Sequence, residues 1–402
     1  MLSNPDLRIA WLLPVAWFYW QPAISNFTKI FPKTKIFTAL WPGFAKGFED
    51  TLQIEVIGSW KVLQLAEGRE GYGSSFTYVS LGIIGPLIKF RPHIIFTNSF
   101  GVWTVLALLL KPLIGWQVVI AYEGSSPGVD FRNSILRLTV RRVMVAFADA
   151  LISNSHSGRA YLIEILAAKP EKVFAHPYEV PAAESLSETG ESSILTEVSI
   201  RRPVFLFVGR IMARKGLKVL LEACKILRVQ GTDNFTLLVV GDGEQQPELV
   251  KLTQDYELDS HVSWLGRVEY SEISACFAQS DVFVLPTFED TWGVVVLEAM
   301  LLGKPVLCSS GAGSSEMIVN GQNGYVFNPN SPDILAQRMQ NLIENEDCLP
   351  AMGNASRKIM AKHNPVAAAQ FLAEVVYFLE SKPSPFKDKY PASTSTDDKL
   401  PT

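Results

Sequence analysis

Short apolar runs alternate with helix-like stretches along the whole chain, and no other feature restricts the fold as strongly. In the first half strands are expected near Leu7, Ile36, Ile54, Ile94, Val118, Ala150 and Val173. In the second they fall at 203–209, 235–241, 261–266, 282–286, 305–308 and 324–327. Strands this short and this uniformly apolar belong to parallel sheets covered on both faces, since a strand with one wet face would alternate in polarity. Parallel neighbours need a crossover, and the helical patterns between the runs supply it. The expectation is an α/β chain of two Rossmann-like, doubly wound domains. At 402 residues the chain exceeds one core, and a 48% hydrophobic content excludes disorder.

The pattern breaks over 182–202 into Ser, Glu, Thr and Gly, which reads as a linker or mobile loop between domains at 1–181 and 203–364. An amphipathic helix at 365–382 is expected to pack back on the N-terminal domain. The Pro, Ser, Thr, Asp and Lys-rich tail at 383–402 is expected to be disordered. Charge divides at the same place: up to Pro181 there are 17 Lys+Arg against 12 Asp+Glu, and beyond it 19 against 28. A basic half joined to an acidic half argues against a nucleic-acid partner and for halves with different tasks. The four cysteines stand singly, as buried, reduced thiols of a cytoplasmic chain do. Two apolar runs invite other readings. Residues 9–20 are too aromatic for a signal peptide and read as a first buried strand, 7–13, ended by Pro14. Residues 102–120 are interrupted by Lys111-Pro112 and Gly115, giving helix, turn and strand rather than a spanning helix.

Three clusters can carry chemistry. Gly209-Arg210-Ile211-Met212-Ala213-Arg214-Lys215-Gly216 runs from a strand through cations into a helix, a turn able to surround a diphosphate with amides and a guanidinium; a plain solvated loop has the same look. Gly241-Asp242-Gly243 ends the next strand, where glycines admit a ring or ribose or simply make a tight turn. It is not the dinucleotide fingerprint, whose third glycine and distant acid are missing. In the third cluster, Glu289 and Asp290 stand in a loop, Gly293 opens a helix, and Glu298 follows inside it. Helix-start amides at Gly293, Val294 and Val295 can hold a phosphate, and Glu298 can accept from vicinal ribose hydroxyls or pair with a nearby arginine.

These clusters, with Leu265-Gly266-Arg267-Val268, Gly303-Lys304-Pro305-Val306 and Asn320-Gly321-Gln322-Asn323-Gly324, resemble glycosyltransferase family 4 in order and spacing over most of 204–327. The likeness thins in the first half to Arg91-Pro92-His93-Ile94-Ile95 and 148–155. The resemblance implies the GT-B fold, two Rossmann-like domains facing a central cleft, with the acceptor on the N-terminal side and a nucleotide-sugar donor on the other. It implies a retaining hexosyltransferase that uses a UDP- or GDP-linked sugar, needs no metal or other cofactor, and serves polysaccharide or glycolipid synthesis. By the same resemblance Arg210 and Lys215 stabilise the departing nucleotide and Glu298 holds the ribose. Asp290, or Glu289 if the loop is shifted, contacts the sugar. Gly209, Gly241, Gly243, Gly266, Gly293, Val294 and Val295 complete the donor site.

The departures lie on the acceptor side. The first loop has Pro14-Val15-Ala16-Trp17-Phe18-Tyr19-Trp20 where the family often has a glycine pair. Tyr122-Glu123-Gly124 stands where a histidine often follows the strand. Glu123 and His156 are the acceptor-side candidates; Glu123 is otherwise a loop acid or cap, and His156 is the histidine expected near the cleft. Arg132, Arg137, Arg141 and Arg142, with Lys29, Lys33, Lys35 and Lys46, suggest a face for anionic lipid, or an ordinary solvated surface. A lipid-linked or oligosaccharide acceptor at the inner face of a membrane is the functional expectation. The alternative is a sugar-binding or scaffold subunit of a polysaccharide-synthesis assembly with impaired catalysis.

Overall fold

The computed structural model describes residues 6–66, 74–186 and 200–381. Most of the expected linker and the whole of the expected disordered tail lie outside these residues. Strands β1 (Ile9–Val15), β2 (Thr34–Leu40) and β3 (Ile54–Val56) come first. The antiparallel pair β4 (Trp60–Ala66) and β5 (Ser74–Val79), absent from the sequence reading, follows. Next are β6 (Ile94–Asn98), β7 (Gln117–Tyr122), β8 (Ala150–Ser153) and β9 (Val173–Ala175). A second set comprises β10 (Val204–Val208), β11 (Thr236–Val240), β12 (Val262–Gly266), β13 (Val282–Leu285), β14 (Val306–Ser309) and β15 (Gly324–Phe327). They form a seven-stranded sheet ordered β3-β2-β1-β6-β7-β8-β9 and a six-stranded sheet ordered β12-β11-β10-β13-β14-β15. Every pairing in both sheets is parallel. Strand order reverses beside β1 and beside β10, and the crevice at such a reversal, beyond the carboxyl ends of the strands, is where α/β sheets bind ligands.

The aromatic first strand is core. Trp11 is fully buried, stacked on Phe96 with centroids 4.4 Å apart and edge-on to Trp20 and Phe27. Pro14 does not end the strand as expected: β1 continues to Val15, which pairs with Leu40. The reason is local. Beyond Leu12 the neighbour β6 no longer pairs, so the missing N–H of Pro14 removes no ladder bond on that side.

One face of the first sheet is covered by the helices Ile84–Phe90, Val102–Ile114 and Ile135–Phe147. The other face is covered by the helix Gln21–Ile30, on which the last helix, Pro365–Glu380, packs. Rings hold the last helix on the first half: Phe31, just past Gln21–Ile30, meets Tyr377 at 5.9 Å, and Phe174 of β9 meets Phe378 at 5.0 Å. No helix among the described residues is long and apolar enough to cross a membrane.

Candidate active site

The ends of β10 and β11 are wound into each other. Gly209 N donates to Val240 O at 3.0 Å and Ile211 N to Asp242 O at 2.7 Å. A Cβ on Gly241 would stand 1.9 Å from Gly209 O, and one on Gly243 would stand 2.2 Å from Ile211 O. These two glycines are therefore demanded by one turn packing on the other, whatever ligand comes near. Gly266 closes the set, its carbonyl accepting from Gly241 N at 2.7 Å. Beside these turns opens a cavity of about 500 Å³, lined by Gly209, Arg210, Gly241, Asp242, Arg267 and Ile273 among others, a volume suited to a nucleotide-sized molecule. The Arg210 side chain is 70% exposed and only 3.8 Å from the Glu244 carboxylate, a loose pairing that leaves its guanidinium available. Arg267, a second cation on the wall, was given no role by the sequence.

The helix Val294–Leu301 starts at Gly293, whose φ of +85° favours glycine and whose Cβ would press on Ser314 Oγ at 3.1 Å. Its first amides have no acceptor within the helix. Glu298 lies in that helix, buried, and accepts from the Tyr270 hydroxyl at 2.9 Å rather than from an arginine. Burial pushes its carboxyl up to about 7. Tyr270 sits between the cavity-lining residues Val268 and Ile273, so it ties Glu298 to the cavity wall.

Lys215 reaches the site because its turn is pinned. At Gly216 φ is +67° and a Cβ would stand 2.1 Å from Pro286 O, so the Lys215 turn lies directly on the loop after β13. Lys215 Nζ is 2.5 Å from Asp290 Oδ2, with both side chains largely buried. The neighbouring acids diverge: Asp290 faces this cation, while Glu289 accepts from Gly128 N at 3.0 Å, across the cleft on the first-sheet half.

The two halves touch along this loop. A Cβ on Gly124 would stand 1.9 Å from Thr291 O. Glu123 Oε2 accepts from Thr291 Oγ1 at 3.4 Å; burial, with the charge of Asp290 added, raises its pKa. Trp292 Nε1 donates to Glu179 O at 2.9 Å, and the buried Glu179 carboxyl is lifted well above the usual range, by burial first and Glu123 second. None of these contacts except Glu123 was singled out from the sequence. His156 is exposed, and it is its backbone that crosses the cleft: His156 N and Ser157 N each donate to the Glu316 carboxylate at 2.8 Å. His156 lines a separate cavity of about 210 Å³ together with His176 and His363. The expectation that one histidine lies near the cleft is thus corrected to three, grouped away from the larger cavity.

Two doubly wound parallel sheets meeting across a cleft, with a turn-lined cavity on one side, are the GT-B fold. Residues 197–359 match the family model described as Glycosyl transferases group 1. Among curated relatives, the sulfoquinovosyl transferase SQD2 of Arabidopsis thaliana is 25% identical over 71% of this chain and 56% of its own length. The D-inositol 3-phosphate glycosyltransferase of Pseudarthrobacter chlorophenolicus is 29% identical over 52% of this chain and 51% of its own. The chain spans about half the length of the curated relatives it matches. Among solved structures, Anabaena Alr3699/HepE in complex with UDP superposes with a TM-score of 0.70 at 19% identity, covering 92% of this chain and all of that one. Sucrose-phosphate synthase from Thermosynechococcus elongatus gives 0.68 at 18%, covering 94% of this chain and all of that one. Together the structural likenesses establish the GT-B fold, and the family-model match lies within the second half of the chain.

Proposed function

We propose that the chain is a retaining hexosyltransferase of the family 4 type, moving a sugar from a UDP- or GDP-linked donor to a lipid-linked or oligosaccharide acceptor in polysaccharide or glycolipid synthesis. Its place of work in this reading is the cytoplasm, at the inner face of a membrane. The observation that carries the reading is the gathering, at the carboxyl edge of the second sheet, of the Arg210 cavity, the Gly293 helix start and the buried Glu298. The donor ribose gives its hydroxyls to Glu298 while the diphosphate lies against Arg210, Lys215 and the amides of Val294 and Val295. Lys215 has three donors, so it can hold Asp290 and a phosphate oxygen together. The bond from the anomeric carbon to the diphosphate oxygen breaks with its electron pair going to the diphosphate, and the cations stabilise that charge. The acceptor oxygen attacks the same face and its proton passes to the departing phosphate oxygen. No metal and no protein base is required by this scheme. Arg210→Ala, Lys215→Ala and Glu298→Ala are each expected to lower transfer at least tenfold in protein that still folds, as read by circular dichroism; near-full activity in all three would sink the assignment.

One contact favours the second reading, a scaffold or sugar-binding subunit. Phe18, in the loop that lacks the glycine pair, lies 6.2 Å from the Tyr270 ring, next to the residue that holds Glu298. Donor binding without turnover or hydrolysis across UDP- and GDP-sugars would select that reading.

A further inference from the structure

A helix laid on a sheet normally turns polar residues to solvent. Three helices of the first half also turn large apolar residues outward. Ile84–Phe90, Val102–Ile114 and Ile135–Phe147 cover one sheet face through Leu87, Trp103, Ala107, Met144 and Val145. On the third of them Leu136, Val140, Val143 and Phe147 follow at helical spacing, away from Met144 and Val145, and all four are exposed. Ile135, at the start of that helix, is 84% exposed. Leu109 and Leu113, four apart on the second helix, are 67% and 77% exposed.

Charge says what covers this surface. Not one of the three helices contains Asp or Glu; their charged residues are Lys89, Lys111, Arg137, Arg141 and Arg142. Lys89 and Arg142 are exposed, Lys111 pairs with Asp149, and Arg137 and Arg141 lie over the Phe131 ring at 3.9 and 5.1 Å. Large aliphatic side chains fringed by cations, with no carboxylate on the three helices themselves and Asp149 neutralised by Lys111, match acyl chains beneath anionic headgroups. The 13-residue Val102–Ile114, at about 1.5 Å per residue, falls well short of a hydrocarbon core of about 30 Å, so the layer lies on a bilayer rather than across it. Of the cations that the sequence grouped with Arg137 and Arg141, Lys29 is on the helix covering the opposite sheet face and Lys33 pairs with Asp6, whereas Lys35 stands on the layer's own side, over the Phe90 ring at 5.9 Å, and pairs with Glu55.

We propose that the outer face of this three-helix layer seats the protein on an anionic bilayer surface. In a doubly wound sheet each helix starts at the carboxyl edge of the strand before it, so Ile135 and Leu136 stand at the cleft end of the layer. Seated this way, the protein holds the cleft mouth at the lipid surface. Docking stands on the exposed residues alone; its use in presenting a lipid-linked acceptor rests on the transfer reading above.

Co-sedimentation of the full chain with phosphatidylcholine vesicles, and with vesicles carrying roughly one phosphatidylglycerol in three, tests it. The chain is expected to bind the anionic vesicles and to bind the neutral ones at least tenfold more weakly. Leu113→Glu with Leu136→Glu, both at exposed positions, should weaken anionic binding at least tenfold with an unchanged unfolding temperature. Val229→Glu, at a 75% exposed site of the second half, should bind like the unaltered chain. No binding to either vesicle, or undiminished binding by the double variant, overturns the proposal. A concentration-dependent dimer in ultracentrifugation, lost in the double variant with no vesicle binding, overturns it in favour of a second copy. Nucleoside diphosphate release in solution, read on the same preparations, separates the two claims: its failure removes the transfer reading and leaves docking intact.

Discussion

Glu298 shows how burial sets both chemistry and stability. Its carboxyl titrates near 7 and bonds to Tyr270, so it is a full acceptor only above neutrality. UDP affinity, measured by calorimetry from about pH 6 to pH 8, is expected to rise several-fold in the unaltered protein and to stay flat and weak in Glu298→Gln. The stability effect has the opposite sense. A carboxyl raised from 4.5 to about 7 on folding binds more protons folded than unfolded across that window, so its stabilisation is complete below 4.5 and is lost as pH rises to about 7. The loss is on the order of 3 kcal/mol for this group. Glu123 and Glu179, also raised, act in the same direction. His93, His176, His261 and His363, lowered by burial, act in the opposite direction, so the test compares variants: in urea unfolding from about pH 5 to pH 8 the unaltered protein should lose more stability, or gain less, than Glu298→Gln, and identical pH slopes would show that the carboxyl is not held as described.

The turns between elements position the charged side chains. Gly216→Ala sets a Cβ against Pro286 O in a left-handed turn, whereas Gly321→Ala meets the same backbone penalty, at φ +78°, in open space. Gly321→Ala should cost about 1 kcal/mol and leave UDP affinity alone, while Gly216→Ala should cost at least about 2 kcal/mol and weaken UDP binding by displacing Lys215. Equal effects of the two on UDP affinity would disprove the pinning. Every strand of both large sheets was legible, most of them because a buried parallel strand is a continuous apolar run; β3, Ile-Glu-Val at the sheet edge, is the exception. The hairpin Trp60–Ala66 with Ser74–Val79 was missed because polar residues interrupt both of its strands, so neither offers such a run. Donor-side turns were legible for a related reason: strand, glycine and helix lie within a few residues of one another. Glu289 on Gly128, Gly124 under Thr291 and Glu316 on His156 join segments that sequence spacing cannot bring together. The histidine group was missed for the same reason.

Across the whole molecule, directional contacts join the halves, with Glu316 accepting from the amides of His156 and Ser157 and Trp292 donating to Glu179 O. Glu316→Ala should loosen that joint, raising the acceptor KM several-fold while UDP affinity is kept; an unchanged acceptor KM would remove Glu316 from the joint's function. The charge division follows the architecture: the acidic half surrounds its cavity with local cations, and the basic half carries the acid-free helix layer. The central claim is transfer with retention between these halves, and it is tested most directly by incubating the full chain, in EDTA, with UDP- and GDP-hexoses and a lipid-linked acceptor. Mass spectrometry reads the product and proton NMR its anomeric configuration. A glycosylated acceptor with the donor's configuration is the predicted result; an inverted linkage, or bound donor with no transfer or hydrolysis across the panel, would contradict it.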